Sequence, residues 1–356
     1  MTINQRSPRA QTVLGPVSAE ALGVTLPHEH IIADARRNFY FEPAIPAERH
    51  MAHVDVTLEN LGWIRAHALS NLDCLVLPGR DIMASELKAF RDAGGGTIVE
   101  VSTRPLGGTD PVGLMELSKM TGLHIIMGTG HYLGLSYSAE SAELTEEQLT
   151  GDLVRDLTVG VNGTDIRAGI IGEIGLTPAF PDDQRRLLRA CARAQATTGA
   201  PLTIHPPGGD HRLMEEILHT VAENGGIPEK TVICHVDIMG FSLDSLRAIA
   251  GWGCYIEFDT FGHLFPPFIL GESLMNFPGE SQRLETIRRL IAEGYVEHIL
   301  LSHDTFLKIQ LAAFGGFGYG HILNNIVPVM LRMGIGAQDV NTMTVANPRI
   351  LLAFLK

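Results

Sequence analysis

The 356-residue chain is short of several things, and each shortage removes a class of protein. Its four cysteines, Cys74, Cys191, Cys234 and Cys254, contain no C-x-x-C pair. That spacing argues against a disulfide framework or a cysteine zinc site, and it fits a cytoplasmic location. Positive charge is scarce: 27 Lys and Arg face 40 Asp and Glu, the net charge is −13, and no basic run offsets it. Nucleic acid is therefore not an expected partner. No apolar run is long enough to span a membrane. The first eleven residues are polar, with Arg6 and Arg9, and lack the apolar core of a signal peptide. Linkers, low-complexity segments and charge blocks are absent too. This favours a single domain, with an extension at 1–22, a body at 23–335 and a closing segment at 336–356. No Gly-x-Ser-x-Gly occurs, so nothing supports a serine nucleophile on a strand-to-helix turn. Aromatic residues make up only 6% of the chain, so any place where they gather is informative.

Apolar residues make up 45%, enough for a sizeable core. Short β-branched runs recur at 23–26, 97–102, 123–129, 168–174, 201–205, 231–235, 254–258 and 298–302. Helical periodicity appears at 56–69, 85–93, 111–120, 145–159, 182–198, 211–223, 243–250 and 281–293. Repeated strand–helix units predict a parallel sheet covered by helices, and eight of them predict an α/β fold closed as one (β/α)8 TIM barrel. An open doubly wound sheet is the alternative, but no G-x-G-x-x-G follows the first strand. Segment 33–53, polar and aromatic, is long for a connection and is expected to cover something.

In such barrels the chemistry sits at the carboxyl ends of the strands. The first strand runs into Pro27-His28-Glu29-His30, where alternate residues share a face, so His28 and His30 can reach one point. Glu173 interrupts the apolar Gly-Ile-Ile-Gly-Glu-Ile-Gly, and His205 ends Leu-Thr-Ile-His. His235 follows Val-Ile-Cys, and Asp304 ends Leu-Leu-Ser-His-Asp. Each has a plain reading alone: a buried Glu paired with a base, a hydrogen-bonded structural His, an Asp capping the next helix. Together they place several ionisable groups on one rim, and burying them without counter-charge is costly. Two divalent cations answer that cost. His28, His30 and Asp304 are expected to hold one, His205 and His235 the other, with Glu173 bridging. Zn2+ suits the set best, and Mn2+, Co2+ or Fe2+ would also bind. A bridging hydroxide would be the nucleophile, with Asp304 orienting it and taking its proton.

Six further residues follow barrel strands and are candidate substrate contacts: Arg104, His131, Tyr132, His263, Lys308 and Tyr319. Lys308 could hold an anionic group. Loop packing or solvent exposure is the plain alternative for all six. The aromatic run 258–268 could wall an apolar pocket or pack against segment 33–53.

These motifs resemble the phosphotriesterase family of the amidohydrolase superfamily. The matching pieces are Gln11-Thr12-Val13-Leu14-Gly15, Leu26-Pro27-His28-Glu29-His30, residues 168–175, Ile204-His205-Pro206, Cys234-His235-Val236-Asp237, Ser302-His303-Asp304 and Ala346-Asn347-Pro348. The chain is more similar to the phosphotriesterase-related proteins than to the organophosphate-degrading enzymes, whose fourth strand carries a carbamylated lysine where Glu173 stands. Residues 253–262 and 318–328 also resemble that subgroup. The resemblance implies a binuclear zinc-type site, a small-molecule substrate and a homodimer. Two departures matter. The proton shuttle of the organophosphate enzymes has Thr260 and Ile238 at its two outer positions here. The loop after the eighth strand is short and glycine-rich (residues 315–320). The expected function is therefore a metal-dependent hydrolase of a carboxylic ester or lactone, with phosphotriesters as a side activity. Hydrolysis of a small N-acyl amide, of the N-acyl amino acid or N-acetyltaurine type, is the alternative. A ligand-binding protein on the same scaffold is a further one.

Overall fold

The computed structural model describes residues 8–354, apart from 107–109, 136–137, 264 and 271–272. Arg6 lies outside the described residues. The chain opens with an antiparallel hairpin that the sequence pattern does not announce, β1 (Arg9–Thr12) paired with β2 (Gly15–Ser18). The barrel strands follow: β3 (Val24–Glu29), β4 (Gly95–Glu100), β5 (His124–Thr129), β6 (Ile170–Gly175), β7 (Leu202–His205), β8 (Thr231–Ile233) and β9 (Tyr255–Phe258). A second small hairpin, β10 (Phe268–Leu270) with β11 (Ser273–Met275), precedes the last barrel strand, β12 (Ile299–Leu301). Eight strands pair in parallel in the order β3-β4-β5-β6-β7-β8-β9-β12. The β12–β3 seam is drawn together by the Asp304 N–H, which donates to the His28 carbonyl (3.2 Å). The His28 N–H in turn donates to Ser302 Oγ (3.1 Å). The fold is the α/β TIM barrel, nearly closed.

The eight expected strands are all present, with shifted ends. β3 runs on through Glu29, which places His28 inside the strand. β8 stops at Ile233, which leaves His235 in the turn beyond it. The helices Asp182–Thr198 and His211–Glu223 fall where periodicity puts them. The helix expected at 56–69 shrinks to Leu61–Ala66, because His67 leaves helical geometry (φ −137°, ψ 39°) and a 3-10 turn, Ala68–Ser70, follows. Arg80–Asp92 begins earlier than expected, after Gly79 in extended conformation. No helix among the described residues is long and apolar enough to cross a membrane.

The pleat sorts the strand residues into two apolar layers. Ile98, Ile125, Ile171, Ile204, Ile233, Ile256 and Ile299 pack in the large layer that includes the helices. Val99, Ile126, Ile170, Val232 and Leu300 form a second cluster with Ala10, Leu22, Leu351 and Leu352. The chain's two ends thus close the barrel at the amino ends of its strands. There the Val13 N–H donates to the Ile125 carbonyl (2.9 Å), and the Phe354 N–H to the Arg9 carbonyl (3.2 Å). Lys230 Nζ secures the last helix, Asn347–Leu352, by donating to the carbonyls of Leu351 (2.9 Å) and Ala353 (3.0 Å). The opposite end is left free for polar groups.

Candidate metal centre

At the carboxyl ends the strands deliver His28 and His30 from β3, Glu173 from β6, His205 from β7, His235 after β8 and Asp304 after β12. His28, Glu173 and His235 are each at most 3% exposed. Gly172, which precedes Glu173 in β6, packs closely against β7: a Cβ there would lie 2.5 Å from the Thr203 carbonyl oxygen, and its φ is +120°. His235 and Asp304 hold left-handed backbone (φ +56° and +50°), uncommon for residues with a Cβ and often found at functional sites.

The six side chains meet at Glu173 and Asp304. Glu173 Oε1 lies 2.9 Å from both His205 Nδ1 and His235 Nε2. Its other oxygen is 3.7 Å from His28 Nε2. Asp304 Oδ1 is 3.1 Å from His30 Nε2 and 3.7 Å from His28 Nε2. His28, His30 and Glu173 form one potential metal-binding group; Glu173, His205, Cys234 and His235 form another, so Glu173 belongs to both. His28, Cys234, His235 and Asp259 make up a third.

A layer behind these side chains sets their orientation; most of its residues lie within the matched motifs, but no such role could be read for them there. Glu257 Oε2, on β9, lies 3.2 Å from His28 Nδ1. Asp259 Oδ1 lies 2.9 Å from His235 Nδ1, and Ser102 Oγ lies 2.8 Å from His30 Nδ1. Three imidazoles therefore turn Nδ1 outward onto an acceptor and Nε2 inward, the arrangement typical of metal-ligating histidines. Asp237 fastens Thr260, the residue after Asp259: it accepts from Thr260 Oγ1 (2.5 Å) and ion-pairs with the buried Arg283 (2.8 Å). Glu29, between the two β3 histidines, accepts from the N–H groups of His303 (2.9 Å) and Thr305 (3.0 Å) and so ties β3 to the loop after β12.

The electrostatics follow from this crowding. Burial alone raises the Glu173 carboxyl, but His28, His205 and His235 outweigh it and hold the group well below the usual carboxylate range. Burial opposes charge on His28 and His235 as well, yet Glu173 beside the first and Asp259 beside the second raise both rings well above the ordinary histidine value. Glu257 is pushed up to about 7 by burial, against the pull of His28.

Whether the centre suits a cation can be judged from one atom. His28 Nε2 is buried without a hydrogen-bond partner, although its Nδ1 is held by Glu257. A buried imidazole nitrogen left unpaired between two carboxylates suits a divalent cation, and so does the His/carboxylate donor set. The residues fit the group.

A cavity of about 820 Å³ opens over this centre and is bordered by His30, Glu173, His205, His235 and Asp304. Of the six candidate substrate contacts, two line it. The Tyr132 hydroxyl lies 3.3 Å from His205 Nδ1. His263 lies against the cavity with its Nε2 donating to the Asp304 carbonyl (3.1 Å), so it does not reach the Asp304 carboxylate. Among the described residues that border the cavity, the other four do not appear. Arg104 is drawn to Asp156 (3.8 Å) and Asn162 (3.4 Å). His131, joined to Arg104 by a backbone bridge, is buried, and burial with Arg104 pushes its ring down to about 4. Lys308 pairs with Asp73 and sits over the Phe314 ring. Tyr319 is wholly buried and donates to the His30 carbonyl (2.5 Å), supporting a candidate ligand from behind. Segment 33–53 does cover the site: Phe39, Phe41 and Ile45 form part of the cavity wall. From the run 258–268, Phe265 and Pro267 join them, while Phe258 and Phe261 belong to the core.

A TIM barrel whose strand ends bring four histidines and two carboxylates to one rim defines a hydrolase of the metal-dependent kind. The chain belongs to the phosphotriesterase family, whose model matches residues 8–352. It is 38% identical over 349 residues to a phosphotriesterase-related protein of Nematostella vectensis, covering 97% of this chain and 98% of that one. It is 37% identical over 349 residues to the N-acetyltaurine hydrolase of Salmo salar, covering 98% and 99%. Among solved structures, a resiniferatoxin-binding protein from Rhodobacter sphaeroides superposes with a TM-score of 0.92 at 34% identity, covering 98% of this chain and 95% of that one.

Proposed function

We propose that the chain is a binuclear acyl hydrolase, in which water attacks a carboxylic carbonyl carbon and the bond to the leaving amine or alcohol breaks. The observation that carries this reading is Glu173: one buried carboxylate shared by two groups of potential ligands. In this proposal His28, His30 and Asp304 hold one divalent cation, His205 and His235 the other, and Glu173 both, with Zn2+ the best-suited ion. Bound there, the cations supply Lewis acidity: they lower the pKa of a water and polarise a carbonyl oxygen. The remaining work belongs to the chain. Asp304 accepts the attacking water's proton on its carboxylate and returns it to the departing nitrogen or oxygen. Glu257, Asp259 and Ser102 keep the imidazole nitrogens aimed inward, so little reorganisation accompanies the reaction. The Tyr132 hydroxyl, at the same rim, donates to a substrate oxygen.

The relationship to the N-acetyltaurine hydrolases supports an amide as the bond broken, which moves that reading ahead of the ester or lactone expected from sequence. An ester or lactone of the same acyl group is the second reading, since its leaving group departs more easily from the same centre. The test is turnover of matched amides and esters by metal-loaded protein beside Asp304→Asn. Turnover of at least one series, reduced on the order of 10³-fold in the variant, supports the reading. Equal rates in the two proteins overturn it.

A further inference from the structure

The wall of the cavity bears on which acyl group the site accepts, an inference that rests on the acyl-hydrolase reading. Aromatic residues are scarce in this chain, yet five of its fourteen phenylalanines line this cavity: Phe39, Phe41, Phe265, Phe277 and Phe306. They come from segment 33–53 and from the connections after β9 and β12, which are remote in sequence. Three of the polar side chains at the cavity floor lie against one of these rings. The His30 and Phe306 centroids are 6.2 Å apart, those of Tyr132 and Phe39 5.9 Å, and those of His263 and Phe265 5.4 Å. Phe39 and Phe306 meet at 5.5 Å, and Phe265 and Phe277 at 6.1 Å. The apolar wall therefore begins at the edge of the candidate metal centre.

Charge is distributed in the complementary way. Among the described residues Arg65 is the one Arg or Lys lining the cavity; it is exposed and donates to the Gly315 carbonyl (2.6 Å). The lining carboxylates away from the centre are engaged as well: Glu42 pairs with Arg49 (3.3 Å), and Glu48 accepts from Trp63 Nε1 (3.0 Å). Beyond the candidate metal centre, a small anionic substrate would find no buried Arg or Lys among the described residues to hold its charge, and it would leave most of the 820 Å³ to water against phenylalanine. A cavity of this size and lining suits a largely apolar ligand.

We propose that this site takes an acyl group much larger than acetyl, apolar and uncharged beside the scissile bond, seated on the wall formed by Phe39, Phe265, Phe277 and Phe306. Water adds to the acyl carbon, the C–N or C–O bond breaks, and one water proton leaves on the amine or alcohol; the acid released gives up the other to the amine or to solvent and departs as a carboxylate.

The experiment uses metal-loaded full-length protein and two series, 4-nitrophenyl esters and N-acyltaurines, each with acyl chains from acetyl to decanoyl. Binding of the product carboxylates, acetate to decanoate, is measured by calorimetry in parallel. The expected kcat/KM rises about fourfold per methylene, the value of burying one CH₂, until the chain outgrows the cavity. Affinity for the carboxylates rises in step. Phe39→Ala and Phe306→Ala, checked for unchanged melting temperature, lower the octanoyl-to-acetyl ratio several-fold. A flat or falling dependence on chain length, in turnover or, where nothing is turned over, in carboxylate binding, overturns the proposal. Tight decanoate binding without turnover of either series supports the apolar seat and removes the acyl-hydrolase reading instead, so the two fail separately.

Discussion

The two ends of this barrel are built from the same strands and solve opposite problems. At the amino ends, Val99, Ile126, Ile170, Val232 and Leu300 meet Ala10, Leu22, Leu351 and Leu352 in an apolar cluster. At the carboxyl ends, Glu29, Glu100, Glu173, Glu257, Asp259 and Asp304 are buried among His28, His30, His205, His235 and His303. The first arrangement stabilises the fold through removal of apolar surface from water. The second costs stability unless counter-charge is present, because desolvated carboxylates without partners are strongly unfavourable. One end holds the fold together, and the other is arranged for a reaction.

The largest expected effect is at the catalytic end. Glu173→Gln replaces the shared carboxylate with a neutral amide, so turnover falls on the order of 10³-fold or more, measured with protein offered excess metal. Leu300→Ala probes the other end. It should lower stability by about 2–5 kcal/mol, read by denaturant unfolding, while kcat/KM at 25 °C stays within about twofold. If Leu300→Ala damaged activity as much as stability, the division between the ends would be wrong. Asp259→Asn sharpens the boundary, since it leaves every proposed ligand in place but loosens His235. Metal affinity should fall about 10- to 100-fold, seen by competition with a chelator.

The smallest effect concerns His131, which separates burial at the rim from membership of the centre. Its folded-state pKa, about 4, lies below the unfolded value. The stability it contributes is therefore full above about pH 6.5 and is lost as pH falls toward 4, because the unfolded chain takes up the proton first. At pH 5.5 that loss is about 1.4 kcal/mol relative to pH 7.5. His131→Gln should remove that increment from the pH dependence of stability, whereas an unchanged slope would show that the ring is not held neutral by burial.

The same contrast explains what could be read from sequence. The eight strands were legible because a short apolar, β-branched run is a local signal, and the six candidate ligands because each interrupts such a run or stands at its end. Glu257 and Asp259 interrupt and follow β9 in the same way, but that strand supplies no proposed ligand. Their task appears only once β9 lies beside His28 and His235. A position after a strand says nothing of where the side chain turns: Tyr132 lines the cavity, and Arg104 and His131 do not border it. Lys308 found Asp73, 235 residues away in sequence. Strands β1 and β2, four residues each, were too short to stand out from a turn, and their place under the barrel depends on the C-terminal helix.

The central claim is that Glu173 is shared by two cations, and elemental analysis of wild type and Glu173→Gln, each reconstituted with Zn2+ and freed of excess metal, tests it most directly. About two ions per chain are expected in the wild type and fewer than one in the variant. A wild type that retains no metal, or a variant that retains as much as the wild type, would contradict it.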